Sequence, residues 1–394
     1  MRDAIAVPGE AASGKAAPLA LASVAIEGWH ALAERAIEPN GFYLPGWALA
    51  AEASARGRGG QLALTVWRES PDDGAAQLIG LLPAISLWRA CGIPLPALAS
   101  ADAYGTLCTP LLDREGALEG VQELMRQARR AGARALLLRD VALDGAALKT
   151  FNRALAADGL RVSVPQSHAR ACLDATRDAE QLLREALGAK KLKELRRQRH
   201  RLAEHGEVSF EVARSADEVA RALEIFLTLE AGGWKAGRGT ALLQHAGDAA
   251  FIRRAAVALA EQRGCEIAVL RAGTAPVAAA ILVRHQDRAF YFKLGVDERF
   301  ARFSPGVQLT LDITRHFCAD PAIALADSLA APDHPMIDPI WRGRLIIGDV
   351  LIPLRRNDPV VALVHVAMAL RQRLRAHARR AVHLLRKLKQ LRRS

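Results

Sequence analysis

The chain has 394 residues, 51% hydrophobic and 24% charged, which gives enough apolar side chains for two ordinary domains and excludes a globally disordered protein. Its formal charge is +12, yet ten Lys/Arg and no acid stand between Arg371 and Ser394, so residues 1–370 hold 44 Lys/Arg against 42 Asp/Glu, a near-neutral +2. The basic excess is thus concentrated at one end of a nearly neutral body, and nucleic acid is not the expected partner. Cys91, Cys108, Cys172, Cys265 and Cys318 are widely spaced without a CxxC pair, which argues against a disulfide framework or a zinc knuckle. No metal is expected, and a reducing cytoplasm fits. The longest apolar run, Pro359 to Leu370, is shorter than the roughly 20 residues of a spanning helix.

Residues 1–17 are rich in Gly, Ala, Ser and Pro and read as a loose N-terminus. After a short strand near LALASVAI comes the helix-like IEGWHALAERA. QLALTVWRE (61–69) and AQLIGLLPAISLW (76–88) read as paired strands across the turn residues PDDG. The helix EGALEGVQELMRQARRAG presents Leu118, Val121, Leu124 and Met125 on one expected face, with Gly132 as a C-terminal cap, and ARALLLRDV follows as a buried strand. A second unit is expected from about Ala169. It holds a helix at 178–186, the basic helix KKLKELRRQRHRLAEHG, a strand VSFEVA and the helix DEVARALEIFLTLEAGGW. A glycine loop around Trp234 and Lys235 leads to another helix, then to two strands joined at Gly273-Thr274, a third strand RAFYFKLGVDE and a helix from SPGVQL. Both halves thus read as helix, antiparallel strands, strand and helix, the pattern of a degenerate duplication.

No GxxxxGK[ST], GxGxxG, HExxH or GxSxG is present, so the usual support for P-loop, dinucleotide-binding, zincin and hydrolase readings is missing. The most informative segment is Tyr291 to Phe317. Ser304 suits a helix N-cap, Pro305 the first helical position, and Gly306 leaves the backbone open beside Arg299 and Arg302. Unpaired N–H groups and two guanidinium groups make an anion cradle; the same residues also fit an ordinary helix start with solvated arginines.

The runs FLTLEAGGWKAGRGTALL, FYFKLGVDERFARFSPGVQL and DSLAAPDHPMIDPIW, with the basic helix upstream, resemble GNAT-type acetyltransferases of the CelD-like, cellulose-biosynthesis acetyltransferase-like group. EPNGFYLPGWALA, LIGLLP and GTLCTPLL extend the resemblance into the N-terminal half. It implies an α/β (α+β) fold with tandem GNAT-like lobes of mixed, mostly antiparallel sheet flanked by helices, a two-lobed arrangement like that of Fem transferases. The expected division is an N-terminal lobe at 18–168, a C-terminal acetyltransferase lobe at 169–355 and a basic amphipathic helical tail at 356–394. It further implies acetyl-CoA as co-substrate, held by Arg299, Arg302, Ser304 and Gly306. At this loop the chain offers one glycine where the family signature has two.

Such chemistry needs a positioned thioester, a base, and an acid for the leaving thiolate. Asp297 and Glu298 at the strand end are candidate bases, or an Arg-paired strand end. Asp327 and His334, with Asp333 nearby, follow the strand candidate AIALAD and are the other catalytic candidates. Tyr291 and Lys293, placed on one face by the two-residue period, and the lid candidates Trp234 and Lys235 are expected to meet the acceptor. That acceptor is a small molecule or glycan, such as a polysaccharide precursor. A Fem-like aminoacyl transferase, with the basic helix meeting aminoacyl-tRNA, and a non-catalytic membrane-associated scaffold are the alternatives. The tail from Leu363 to Leu388 keeps helical apolar spacing between arginines, which fits a peripheral anionic membrane surface, a helix partner or docking on its own body.

Overall fold

The computed structural model describes residues 18–69, 74, 76–102, 104–232, 239, 241–371 and 373–374. The N-terminal half runs β1 (Leu19–Ala20), α1 (Ile26–Glu34), α2 (Pro45–Ser54), β2 (Leu62–Glu69), β3 (Ala76–Ser86), α3 (Leu87–Cys91), β4 (Ala97–Ser100), β5 (Leu111–Leu112), α4 (Ala117–Arg130), β6 (Ala135–Ala142), α5 (Ala146–Ala157) and β7 (Ser163–Asp174). The C-terminal half runs α6 (Ala179–Leu202), β8 (Val208–Ala213), α7 (Ala216–Gly232), α8 (Ala246–Ala260), β9 (Cys265–Ala272), β10 (Ala275–His285), β11 (Arg288–Val296), α9 (Pro305–Cys318), β12 (Leu325–Asp327) and β13 (Gly343–Pro353).

All the described strands join one mixed sheet in the order β1-β2-β3-β4-β6-β13-β7-β12-β11-β10-β9-β8, with β5 on β3. The order discloses the duplication. In each half an antiparallel set ends in a strand that pairs in parallel with the next one, β4 with β6 and β11 with β12. Each parallel pair is then flanked by a strand from the other half: β13 lies antiparallel on β6, and β7 lies antiparallel on β12. β7 and β13 pair with each other and form the seam. The expected boundary at 168/169 falls inside β7, because this strand serves the second lobe's parallel pair while its chain neighbours serve the first.

Local sequence explains most elements. Near-continuous apolar runs in β9 and β10 bury both of their faces, and Gly273 at φ +58 makes the tight turn between them. On α4, Val121, Leu124 and Met125 face the core as expected, whereas Leu118 is exposed: it lies on the side away from the sheet. The long α6 is interrupted at Gly188, whose φ +71 and ψ 163 no helix can hold, so its two segments correspond to the two predicted helices.

The start of the tail docks on the body, one of its three expected settings. Residues 359–371 are helical, and Val360, Val364 and Met368 are buried against Leu87, Cys91, Ala99, Leu137 and Leu351. Arg134 fixes the entry by donating to Asp358 at 2.7 Å. Spacing of four residues puts these three apolar side chains on one stripe, and that stripe covers a sheet face of the N-terminal lobe. Residues 375–394 lie outside the described residues.

Candidate active site

The site begins where β11 and β12 part. They pair only through Arg288–Phe290 and Leu325–Asp327. β11 continues to Val296, while the other chain turns away: Asp327 Oδ1 accepts the N–H of Leu329 at 2.9 Å, Ser328 Oγ accepts that of Ala330 at 3.2 Å, and Leu329 takes φ +52. The side-chain turn competes with the ladder and ends the strand. Between the diverging chains lies a cavity of about 770 Å³, walled by Tyr291 to Leu294 on one side, by Ser328 to Ala330 and His334 to Ile337 on the other, and by Ser304 to Val307 at one end.

β11 carries a bulge here. Leu282 faces Tyr291 and Ile281 faces Lys293, which leaves Phe292 unpaired. The extra residue reverses the alternation, so Tyr291 packs on one side of the sheet and Lys293 on the other, contrary to the same-face expectation. Tyr291 is buried, and its hydroxyl shares a 3.2 Å hydrogen bond with that of Thr310. Lys293 donates to Glu230 of α7 at 3.3 Å. Glu230 also accepts the N–H of Leu242 at 3.0 Å. The sequence carried a signal for this carboxylate, because Glu230 continues the buried helical row of Val219, Leu223, Phe226 and Leu227.

At the end of the cleft α9 starts at Pro305 as expected. Ser304 does not act as the expected side-chain cap. It sits at φ +53, makes no capping bond, and leaves the first-turn N–H groups of Gly306 and Val307 without an intrahelical acceptor. A Cβ on Gly306 would come within 3.0 Å of Leu294 and 3.2 Å of Val296, so only glycine leaves this corner open. An uncapped helix N-terminus beside a cleft is where a phosphate is stabilised.

The two arginines assigned to that phosphate turn elsewhere. Arg299 folds back on Asp297, donating at 2.7 and 3.1 Å, and its side chain is 84% exposed. These bonds hold the Asp297 carboxyl below its usual range, which makes it a weaker base than a free carboxylate. Arg302 stacks on Phe303 at 4.6 Å and reaches His205 Nε2 at 3.5 Å. α6 packs against residues 298–303 and exposes Lys190, Lys191, Lys193, Arg196, Arg197 and Arg201 along its length.

Asp327 is buried and bound to Arg170, which corrects its assignment to proton transfer in the open cleft. Arg170 also donates to the carbonyl of Thr106 at 2.6 Å. A continuous chain therefore runs from the N-terminal lobe through β7 to the turn that opens the cleft. Glu298 lines the cleft and is exposed, and His334 lines it half-buried. His334 Nδ1 accepts the N–H groups of Met336 and Ile337 at 3.4 and 3.5 Å, which leaves Nε2–H as the ring's donor. Asp333 beside it takes φ +56 and is exposed. Trp234 and Lys235 lie outside the described residues.

Residues 189–334 match the acetyltransferase (GNAT) domain family. The match covers the basic helix, the bulged strand, the uncapped helix and the cleft turn. No curated protein sequence matches the chain. Among solved structures, FemX is similar at 13% identity over 87% of this chain and 98% of its own, with a TM-score of 0.55. The C-terminal domain of a putative lysylphosphatidylglycerol synthetase from Agrobacterium fabrum is similar at 16% identity over 86% and 94%, with a TM-score of 0.52. A conserved protein of unknown function from Bacteroides thetaiotaomicron is similar at 12% identity over 84% and 98%, with a TM-score of 0.50. These likenesses establish a shared fold. The chain accordingly has a GNAT-type acyltransferase fold, and these likenesses do not confirm the CelD-like subgroup.

Proposed function

We propose that the chain transfers an acyl group from acetyl-CoA to an amine or hydroxyl acceptor, with the thioester held between β11 and β12. One observation carries the reading: the parallel pair opens beside a helix whose first N–H groups are left free. Gly306 and Val307 would receive a pyrophosphate oxygen, the exposed bases of α6 would meet the remaining phosphate charge, and the cavity would take the pantetheine arm. The acceptor attacks the thioester carbonyl, the C–S bond breaks, and the thiolate leaves. Glu298 receives the proton released by the nucleophile, and the Nε2–H of His334 offers a hydrogen bond to the developing negative charge. A glycan acceptor rests on the sequence resemblance alone.

The likeness to FemX and the exposed basic side of α6 favour one second reading, an aminoacyl transferase that takes its acyl group from aminoacyl-tRNA. Calorimetric titration of the full chain with acetyl-CoA, run beside filter binding of aminoacyl-tRNA, separates the two. Binding of acetyl-CoA with no retention of tRNA supports the first. The reverse supports the second, and neither leaves a scaffold. With an acceptor in hand, Glu298→Gln should lower turnover by about a hundredfold at unchanged CoA affinity. Undiminished turnover would remove Glu298 as the base.

A further inference from the structure

The helix at 359–371 has two apolar sides, and only one of them is used. Val360, Val364 and Met368 are buried on the sheet. Leu363, Val366, Leu370 and Leu374, spaced by three, four and four residues, are 52–66% exposed along the other side. The row continues into a groove of about 520 Å³ between Ile93-Pro94 and Ala367, Leu370 and Leu374. α3, which borders this groove through Cys91, carries the 60% exposed Trp88. Docking through the buried stripe fixes which way the exposed row points, so the body presents it as a rigid ledge.

We infer that this ledge seats on an anionic lipid leaflet, independently of which acyl donor the cleft takes. Charge selects this occupant. The ten Lys/Arg from Arg371 onward begin where the exposed row ends, and no acid accompanies them, while the remaining chain is near neutral. A second copy of the chain would bring two such clusters together with no carboxylate in either to neutralise them. A leaflet of anionic headgroups supplies that neutralisation, and its acyl boundary accepts the leucine row and an interfacial indole. Among the described residues no helix is long and apolar enough to cross a membrane, so the contact is with the surface.

The test is sedimentation of the full chain with vesicles of phosphatidylcholine alone or mixed with phosphatidylglycerol. The chain should pellet with the mixed vesicles at low salt, stay in solution with the neutral ones, and be released as salt rises. Leu363→Glu with Val366→Glu, both on the exposed side, should lower partitioning at least about tenfold while the melting temperature stays unchanged. Loss of the bases beyond Arg373 by truncation after Leu374 should lower it further. Wild type that ignores mixed vesicles overturns the proposal. A double variant that pellets like wild type removes the ledge from the contact and also overturns it. Light scattering that shows a dimer broken by the same two substitutions would assign the ledge to a second copy instead.

Discussion

The two lobes share one topology and treat its central opening in opposite ways. In the C-terminal lobe β11 and β12 separate into a cavity. In the N-terminal lobe β4 and β6 pair over Ala97–Ala99 and Ala135–Leu137 in the same manner, but the gap beyond is closed. Ser100 Oγ accepts the N–H of Arg139 at 2.8 Å, the backbone N–H of Cys108 donates to the carbonyl of Asp140, and Leu107 and Cys108 are buried there. The Tyr43 hydroxyl donates to Ala101, and a Cβ on Gly105 would overlap the Phe42 ring. The helix starts differ in the same sense. The N–H groups of Glu115 and Gly116 that lead into α4 donate to Asp113 Oδ1 at 2.9 and 3.3 Å, and Asp113 is paired with Arg35 at 2.8 Å. Burial would raise that carboxyl, yet the hydrogen bonds from Arg35 and the backbone hold it below its usual range. One lobe thus carries its own anion and its own filling, and the other leaves both places open. The duplicated fold supplies the opening, and the side chains decide whether a ligand can use it.

The largest expected effect concerns the join between the lobes. Arg170→Met leaves Asp327 buried without its partner, which costs about 3–5 kcal/mol of stability. Urea unfolding should show it as a shifted midpoint, and Asp327→Leu added to Arg170→Met should restore most of the loss, because the cost lies in the unpaired charge. If the single variant is as stable as wild type, the lobes are held by packing alone. Because Asp327 also shapes the Leu329 turn, Asp327→Asn should raise the KM for acetyl-CoA more than it lowers kcat.

The next effect sets the two helix starts against each other. Gly306→Val fills the open corner beside Leu294 and Val296 and should weaken acetyl-CoA by about a hundredfold. Asp113→Asn at the closed start keeps the oxygen that accepts the two N–H groups but loses the charge paired with Arg35, which should cost about 1–2 kcal/mol of stability and leave acetyl-CoA affinity unchanged. Calorimetry on both variants reads the contrast directly. A CoA effect from Asp113→Asn would mean that the N-terminal lobe also binds the ligand.

Much of this architecture is legible in the sequence, because periodicity reports which face of an element is buried. The hairpin at Gly273, the helix start at Pro305 and the strand at Leu325 follow from local pattern. What the pattern hides is non-local. β7 and β13 swap lobes, and nothing in SVPQSHARACLD or GRLIIGDVLIP says which distant strand each will meet. The bulge at Phe292 reverses the alternation without any glycine or proline to mark it, so Tyr291 and Lys293 part company. Ser304 has the composition of a cap, yet its left-handed backbone prevents it from acting as one. The tail's spacing shows an amphipathic helix, but its buried stripe is chosen by the sheet face it covers.

The smallest expected effect tests the arginines that composition alone would place on the phosphate. Had Arg299 and Arg302 each supplied a charge-assisted bond, the double change to Ala would weaken acetyl-CoA by about a hundredfold or more. Arg299 is instead neutralised by Asp297, and the pair is exposed, where solvent screens it. Arg302 spends its guanidinium on the Phe303 face and on His205. The double variant should therefore change acetyl-CoA affinity by less than about threefold. Reversal of charge on α6 at Arg196 and Arg197, both exposed on the helix that packs against residues 298–303, should weaken it more and should steepen with falling salt. If the order of these two effects is inverted, the arginines swing onto the phosphate when it binds, and the free helix start is then only part of the open lobe's anion site.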